Sequence, residues 1–230
     1  MGAVYLIRHG QASAMRRNYD QLSRLGMEQS EVLGKALAER LGGVDQVVSG
    51  AMRRHEQTAR HSLRAMGLEP QWQRDERWNE YDHQELITRY KPLYSVRALM
   101  LADLARTLRP AEAFQEMFEQ ALDRWTSGRH DDEYRESWPQ FRQRVRQGLE
   151  ALVADMGRSR TALVYTSGGA ISAVVQELTD MPPQQWRRLS RVIANATVTK
   201  VVYGSRGLHL STFNEHGHFE GPRRHLLTYR

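Results

Sequence analysis

A short apolar run, Ala3-Val4-Tyr5-Leu6-Ile7, breaks off at Arg8-His9-Gly10 near the start of the 230-residue chain. Five consecutive apolar residues without polar alternation read as a strand buried on both faces, the signature of a parallel sheet. The same rhythm then repeats. Residues 24–41 place Leu33, Leu37 and Leu41 four apart behind Ser23, a candidate N-cap, and predict a helix. Val44 to Val48 predicts a second strand, 51–66 a second helix, and a further strand is expected near 71–76. Strand–helix alternation of this kind defines an α/β fold, a mostly parallel sheet with crossover helices on both faces.

The alternation pauses between about 85 and 157, where the pattern is helical. Phe114, Met117, Phe118, Ala121, Leu122 and Trp125 form one apolar stripe at helical spacing. Ser137 and Gln140 match a capping box ahead of Phe141, Val145, Leu149 and Leu152. We read 85–157 as a helical insertion over the carboxyl edge of the sheet, within a single domain spanning 1–230, its aromatic residues serving as core. Thr161 to Tyr165 then predicts a strand, and Gly168-Gly169 opens a helix to about Leu178. Two last strands, 197–203 and 208–213, are joined by the turn-forming Gly204-Ser205-Arg206-Gly207.

Composition narrows the partners. The chain has no cysteine, which excludes thiol chemistry and suits a reducing compartment. Its net charge is +6, but the arginine pairs (Arg16-Arg17, Arg53-Arg54, Arg187-Arg188, Arg223-Arg224) are scattered among nearly as many acids. That pattern favours a solvated surface over a nucleic-acid footprint. The opening residues are too short an apolar stretch for a signal peptide, and Leu6 stands where myristoylation needs Ser or Thr. No run reaches the ~18 apolar residues of a membrane span. The expectation is a cytoplasmic protein with no membrane and no nucleic-acid partner.

Four polar stations fall at expected strand ends. Arg8-His9-Gly10 comes after the first strand, Ser49 to Ala59 after the second, Trp78-Asn79-Glu80-Tyr81 after the third, and Tyr165-Thr-Ser-Gly-Gly-Ala-Ile171 after the fourth. Open α/β sheets bind ligands at that carboxyl edge. Arginine offers a planar fork for phosphate oxygens, neutral imidazole is a nucleophile near pH 7, and a helix N-terminus favours an anion. Together the stations suggest a phosphate pocket.

From Val4 to about Ser172 the chain resembles the histidine phosphatase, or phosphoglycerate-mutase-like, superfamily. Leu6-Ile-Arg-His-Gly-Gln11 is similar to its N-terminal signature, and Leu22-Ser-Arg-Leu-Gly-Met-Glu-Gln29 to a leucine-threonine…glycine…glutamine segment. Arg54-His-Glu-Gln-Thr-Ala59 is similar to an arginine-alanine-x-glutamine-threonine-alanine stretch, so spacing selects Arg54 over Arg53. The resemblance implies a phosphatase acting on a small phosphorylated substrate without a metal or other cofactor. In it His9 carries the phosphoryl group, Arg8, Arg54, Ser167 and Gly168 bind phosphate, and Glu80 is the proton donor and base. The alternatives are a mutase, or a weakly active protein that binds a phosphorylated ligand. One departure stands out: Ser167 occupies the place of the superfamily's second histidine. His83 and His55 are the nearest substitutes in sequence, and His83 is favoured because it lies close behind Glu80. His216 and His218 lie two apart, as chelating histidines can, but no third ligand sits at a recognised spacing, so no metal is expected. Pairing into a homodimer is left open.

Overall fold

Strand β1 (Gly2–Arg8) runs through the middle of the sheet, with Val4, Leu6 and Ile7 wholly shielded from solvent. The computed structural model describes residues 1–13, 20–182 and 185–229. Among them β1 is succeeded by α1 (Arg24–Arg40), β2 (Gln46–Ser49), α2 (Arg53–Ala65) and β3 (Gln73–Arg74). Four helices come next: α3 (His83–Tyr90), α4 (Arg97–Ala105), α5 (Pro110–Thr126) and α6 (Trp138–Met156). The chain ends with β4 (Thr161–Thr166), α7 (Gly168–Leu178), α8 (Trp186–Val192), β5 (Val198–Gly204) and β6 (Gly207–Glu215).

The six strands form one sheet in the order β3-β2-β4-β1-β5-β6. β1, β2, β3 and β4 are mutually parallel, while β5 runs antiparallel to β1 and β6 antiparallel to β5. This is the mostly parallel α/β sheet that the apolar runs predict. Register aligns the strand ends, because Arg8 pairs with Thr166 and Ser49 with Tyr165. The residues after β1, β2 and β4 are thereby brought to one edge.

Each element has a local cause. Ser23 caps α1, accepting from the Gly26 N–H at 3.0 Å, and the Leu33/Leu37 face packs with Tyr5, Ile7, Ala59, Leu63, Leu163 and Tyr165. Burying leucines of this kind stabilises by roughly 1.5–3 kcal/mol each. β3 is shorter than the expected 71–76 segment. Gln73 and Arg74 are exposed, so this edge strand has no apolar face to extend its pairing.

The chain packs as two compact units, Met1–Glu80 with Arg144–Arg230, and Tyr81–Gln143. The division falls inside α6, which lies wholly within 85–157, so the second unit ends before the expected insertion does. In the first unit Val145, Leu149 and Leu152 of α6 are buried. In the second unit Ile87, Tyr94 and Met117 form a core with Met100, Phe114 and Phe118. Trp125 is also buried there, its ring centroid 5.1 Å from Tyr81, 5.2 Å from Trp138 and 5.6 Å from Phe141.

The capping box forms within that unit. The Ser137 N–H donates to Gln140 Oε1 at 2.8 Å, and the Gln140 N–H to Ser137 Oγ at 3.4 Å. Ser137→Ala is expected to cost about 1 kcal/mol, read as a lower urea midpoint, with Ser137→Thr recovering most of it. Equal midpoints for all three proteins would show that the box contributes nothing.

Candidate active site

β1 delivers Arg8 and His9 to the sheet edge, and the backbone of His9 is held on three sides. Its N–H donates to Thr166 O at 2.9 Å. Its carbonyl accepts from Ala196 N at 3.2 Å and from Asn195 Nδ2 at 3.2 Å. The ring is fixed as well, with Nδ1 2.7 Å from Gly10 O. A carbonyl can only accept, so Nδ1 carries the hydrogen and Nε2 keeps its lone pair. This is the tautomer a nitrogen nucleophile requires.

The next station is the first turn of α2. Arg54 is buried and Arg53 exposed, and Arg54 pairs with Asp20 at 2.9 Å. The other Asp20 oxygen accepts from Arg53 N at 2.9 Å, supplying the N-terminal partner that Met52 lacks. One turn on, Thr58 Oγ1 accepts from Gly10 N at 3.1 Å and donates to Arg54 O at 2.7 Å. The threonine therefore ties the His9 loop to the helix carrying Arg54. Gln29 acts similarly from α1: its Oε1 accepts from Gln11 N at 2.8 Å, while its Nε2 donates to Leu226 O and Thr228 Oγ1.

Ser167 follows β4 and is the N-cap residue of α7, yet its side chain does not cap the helix. Its Oγ lies 2.6 Å from His55 Nε2. The Gly169 N–H at the start of α7 goes instead to Glu80 Oε2 at 3.0 Å. Glu80 is held there by its neighbours, since Thr166 Oγ1 donates to Trp78 O at 2.6 Å and Ala51 N to Asn79 Oδ1 at 2.6 Å. Arg8, itself buried, donates to Ile193 O. A Cβ added to Gly168 would lie 3.5 Å from Arg8 Nε, which sets the guanidinium beside the α7 N-terminus. Arg8, His9, Arg54, Glu80, Ser167 and Gly168 all belong to the first unit. His83 opens α3 in the second.

Electrostatics keep the imidazoles neutral. Burial pushes His9 well below its ordinary pKa, reinforced by the charges of Arg54, Arg8 and His55 and opposed by the Gly10 carbonyl. Burial and then Arg54 push His55 down in the same way. The site thus combines an unprotonated nitrogen with two guanidinium groups, a setting suited to a phosphate dianion.

Stability should therefore depend on pH. With lowered folded-state pKa values, the unfolded chain binds more protons than the folded one below the ordinary imidazole value of about 6.5. The stability associated with neutral His9 and His55 is complete above that value. It is lost as pH falls from there through the folded-state values. Urea midpoints are expected to fall between about pH 7.5 and about pH 5.5, a window that brackets the ordinary imidazole titration. A clearly smaller fall in His9→Asn/His55→Asn than in the parent would confirm the source, buried His218 accounting for part of what remains; an equal fall in both would exclude it.

Several of these residues carry no sequence signal of their own. Asp20, Thr58 and Asn195 act by reaching across the fold, although Thr58 and Gln29 fall within the stretches similar to the superfamily's. Away from the site, His218 Nε2 lies 2.9 Å from Ala196 O and burial lowers its pKa to about 4, while His216 Nδ1 faces Asn214 O at 2.6 Å. Among the described residues no group of three or more His, Cys, Asp or Glu side chains is arranged to hold a metal ion. No described helix is long and apolar enough to cross a membrane.

A sequence model of the histidine phosphatase superfamily (branch 1) matches residues 4–91 and 105–216. The chain belongs to that superfamily. Comparison with curated proteins finds no significant match. Among solved structures it is similar to a phosphoserine phosphatase of Entamoeba histolytica in complex with 3-phosphoglyceric acid, at 16% identity and TM-score 0.64, covering 95% of this chain and 99% of that one. A mycobacterial glucosyl-3-phosphoglycerate phosphatase with inorganic phosphate is similar at 22% identity and TM-score 0.62, covering 94% and 98%. A phosphoglycerate mutase of Bacillus anthracis is similar at 17% identity and TM-score 0.63, covering 93% and 92%. At these identities the likeness is one of fold.

Proposed function

We propose that the protein is a metal-independent phosphatase that hydrolyses a small phosphomonoester through a phosphohistidine on His9. The observation that carries this reading is the His9 Nδ1–H bond to Gly10 O, which leaves the Nε2 lone pair on a neutral ring flanked by Arg8 and Arg54. In the first step Nε2 attacks phosphorus in line and the ester P–O bond breaks. Glu80, protonated, gives its proton to the departing alkoxide. In the second, water attacks phosphorus, the P–N bond breaks and the water proton passes to the Glu80 carboxylate. Arg8, Arg54, Ser167 and the Gly168 backbone hold the phosphoryl oxygens, so positioning and charge supply most of the acceleration. Ser167 stands in this scheme where the superfamily's second histidine is expected. The cysteine-free composition suits work in the cytoplasm.

Incubation with p-nitrophenyl phosphate, with trapping of acid-labile phosphoenzyme, tests the reading. Net phosphate release with label on His9 is the expected result. Transfer to monophosphoglycerate without net release would make the protein a mutase, and phosphate binding with neither reaction would make it a binding protein.

A further inference from the structure

We infer that His55 is a positioning residue for phosphate binding: it directs the Ser167 hydroxyl proton at the phosphoryl group, so that the pair does what one histidine at position 167 would do. The inference rests on the proposed phosphate site and names how its missing donor is replaced.

Both residues are wholly buried, and their polar atoms are 2.6 Å apart. The His55 ring centroid is 5.7 Å from that of His9, so the pair lies against the nucleophile. Ser167 is unlike an ordinary N-cap serine, whose oxygen would accept from the helix backbone. Glu80 has taken the Gly169 N–H, and the Ser167 oxygen faces the imidazole instead.

The direction of the His55–Ser167 bond is set by the far side of the ring. His55 Nδ1 is buried and has no hydrogen-bond partner among the described residues. The Gly50 backbone closes on it: a Cβ there would lie 2.3 Å from Nδ1. A hydrogen on Nδ1 would be a buried donor with no acceptor, which is rarer and costlier than an unpaired acceptor lone pair. The hydrogen therefore sits on Nε2 and donates to Ser167 Oγ. The serine oxygen accepts from the ring, and its own hydrogen turns away from His55 toward the anion site beside Arg8 and the α7 N-terminus. The reverse tautomer would draw the serine hydrogen onto His55, so that Ser167 would offer phosphate a lone pair in place of a donor. Gly50, just past β2, is part of the same device, because any side chain there would displace the ring.

The sequence carries the same exchange. Position 55 holds histidine where the superfamily's stretch has alanine, and position 167 holds serine where histidine is expected. Imidazole and small residue have changed places between α2 and the β4–α7 junction. His55, not His83, then substitutes for the second histidine.

Nitrogen-15 NMR of the unaltered, full-length protein reads the His55 tautomer directly. Nε2–H is the expected state, and Nδ1–H would overturn the inference even where every variant fails to fold. Orthovanadate affinity supplies the second measurement. Ser167→Ala and His55→Ala are each expected to weaken it about 10–100-fold, the range for a hydrogen bond to a charged group. The double alanine variant should be no weaker than Ser167→Ala, since His55 acts through the serine. His55→Ala/Ser167→His should regain most of the affinity, whereas His83→Ala should leave it unchanged. An unaltered affinity in His55→Ala, or losses that multiply in the double variant, would sink the proposal. Vanadate binding that responds as expected in a protein without phosphatase turnover would reject the proposed function alone. Turnover with a vanadate affinity indifferent to His55 would reject this inference alone.

Discussion

His9→Ala is expected to lower p-nitrophenyl phosphate turnover by at least about 10³-fold, the scale on which nucleophile removal acts. Under the proposed mechanism the residual rate would come from Arg8 and Arg54, still able to bind and polarise the ester. The loss should be chemical and not structural. The bonds that place residue 9, to Thr166 O, Ala196 N and Asn195 Nδ2, use its backbone and survive the substitution. A circular dichroism melt close to that of the parent protein checks this. Acid-labile phosphoenzyme should vanish in the same variant, and added imidazole should restore part of the turnover by entering the vacated space. Turnover within tenfold of the parent, a factor of about 1.4 kcal/mol, would exclude His9 as the phosphate carrier.

The second large effect lies under the same loop. A Cβ on Gly26 would stand 2.2 Å from Gln11 O and 2.8 Å from Gln11 N. Both are backbone atoms, so no side chain can swing aside. Gln11 is further held through its N–H by Gln29 Oε1, and Gly10 through its N–H by Thr58 Oγ1. Gly26→Ala must therefore move either the start of α1 or the segment that carries His9. We expect a destabilisation of about 3 kcal/mol, at the upper end for overpacking. Turnover should fall about 10²-fold if the loop moves by about 1 Å. Gly42→Ala is the control, since nothing lies within 4 Å of a Cβ there. Urea denaturation and steady-state rates on the three proteins decide it. Equal stability of Gly26→Ala and Gly42→Ala would show that the contact yields freely.

The parts of this fold legible from sequence are those whose environment is the same along a whole element. β1 and β4 are buried on both faces over most of their length, so Val4 to Ile7 and Ala162 to Tyr165 are all apolar, and the run is visible without knowledge of neighbours. Ser23 and the Ser137–Gln140 pair act within one helical turn, and local spacing reveals them. β3 is blurred for the converse reason. It is an exposed edge of polar residues, and its two-residue extent is set by pairing with β2. The division between the two units is invisible too, because it falls inside α6, one uninterrupted helix with a continuous apolar stripe.

In the candidate site, order along the chain is enough to bring His9, Arg54, Glu80 and Ser167 forward, since each lies past a strand and parallel strands end at one edge. Asp20 escapes notice because an aspartate in a polar segment announces nothing until it meets Arg54. Local patterning also points to His83 over His55, for closeness to Glu80. Tertiary structure sets His55 2.6 Å from Ser167 across a separation of 112 residues.

The sequence by itself thus determined the α/β class, the sheet edge that gathers the candidate site and the place of His9 on it. Hydrophobic period and chain order are local properties, and they suffice for those conclusions. Only the tertiary structure decided the tautomer of His9, the carboxylate on Arg54 and the partner of Ser167. Each of these depends on which donor meets which acceptor at about 3 Å, a relation created by packing elements together and written in no single segment of the chain.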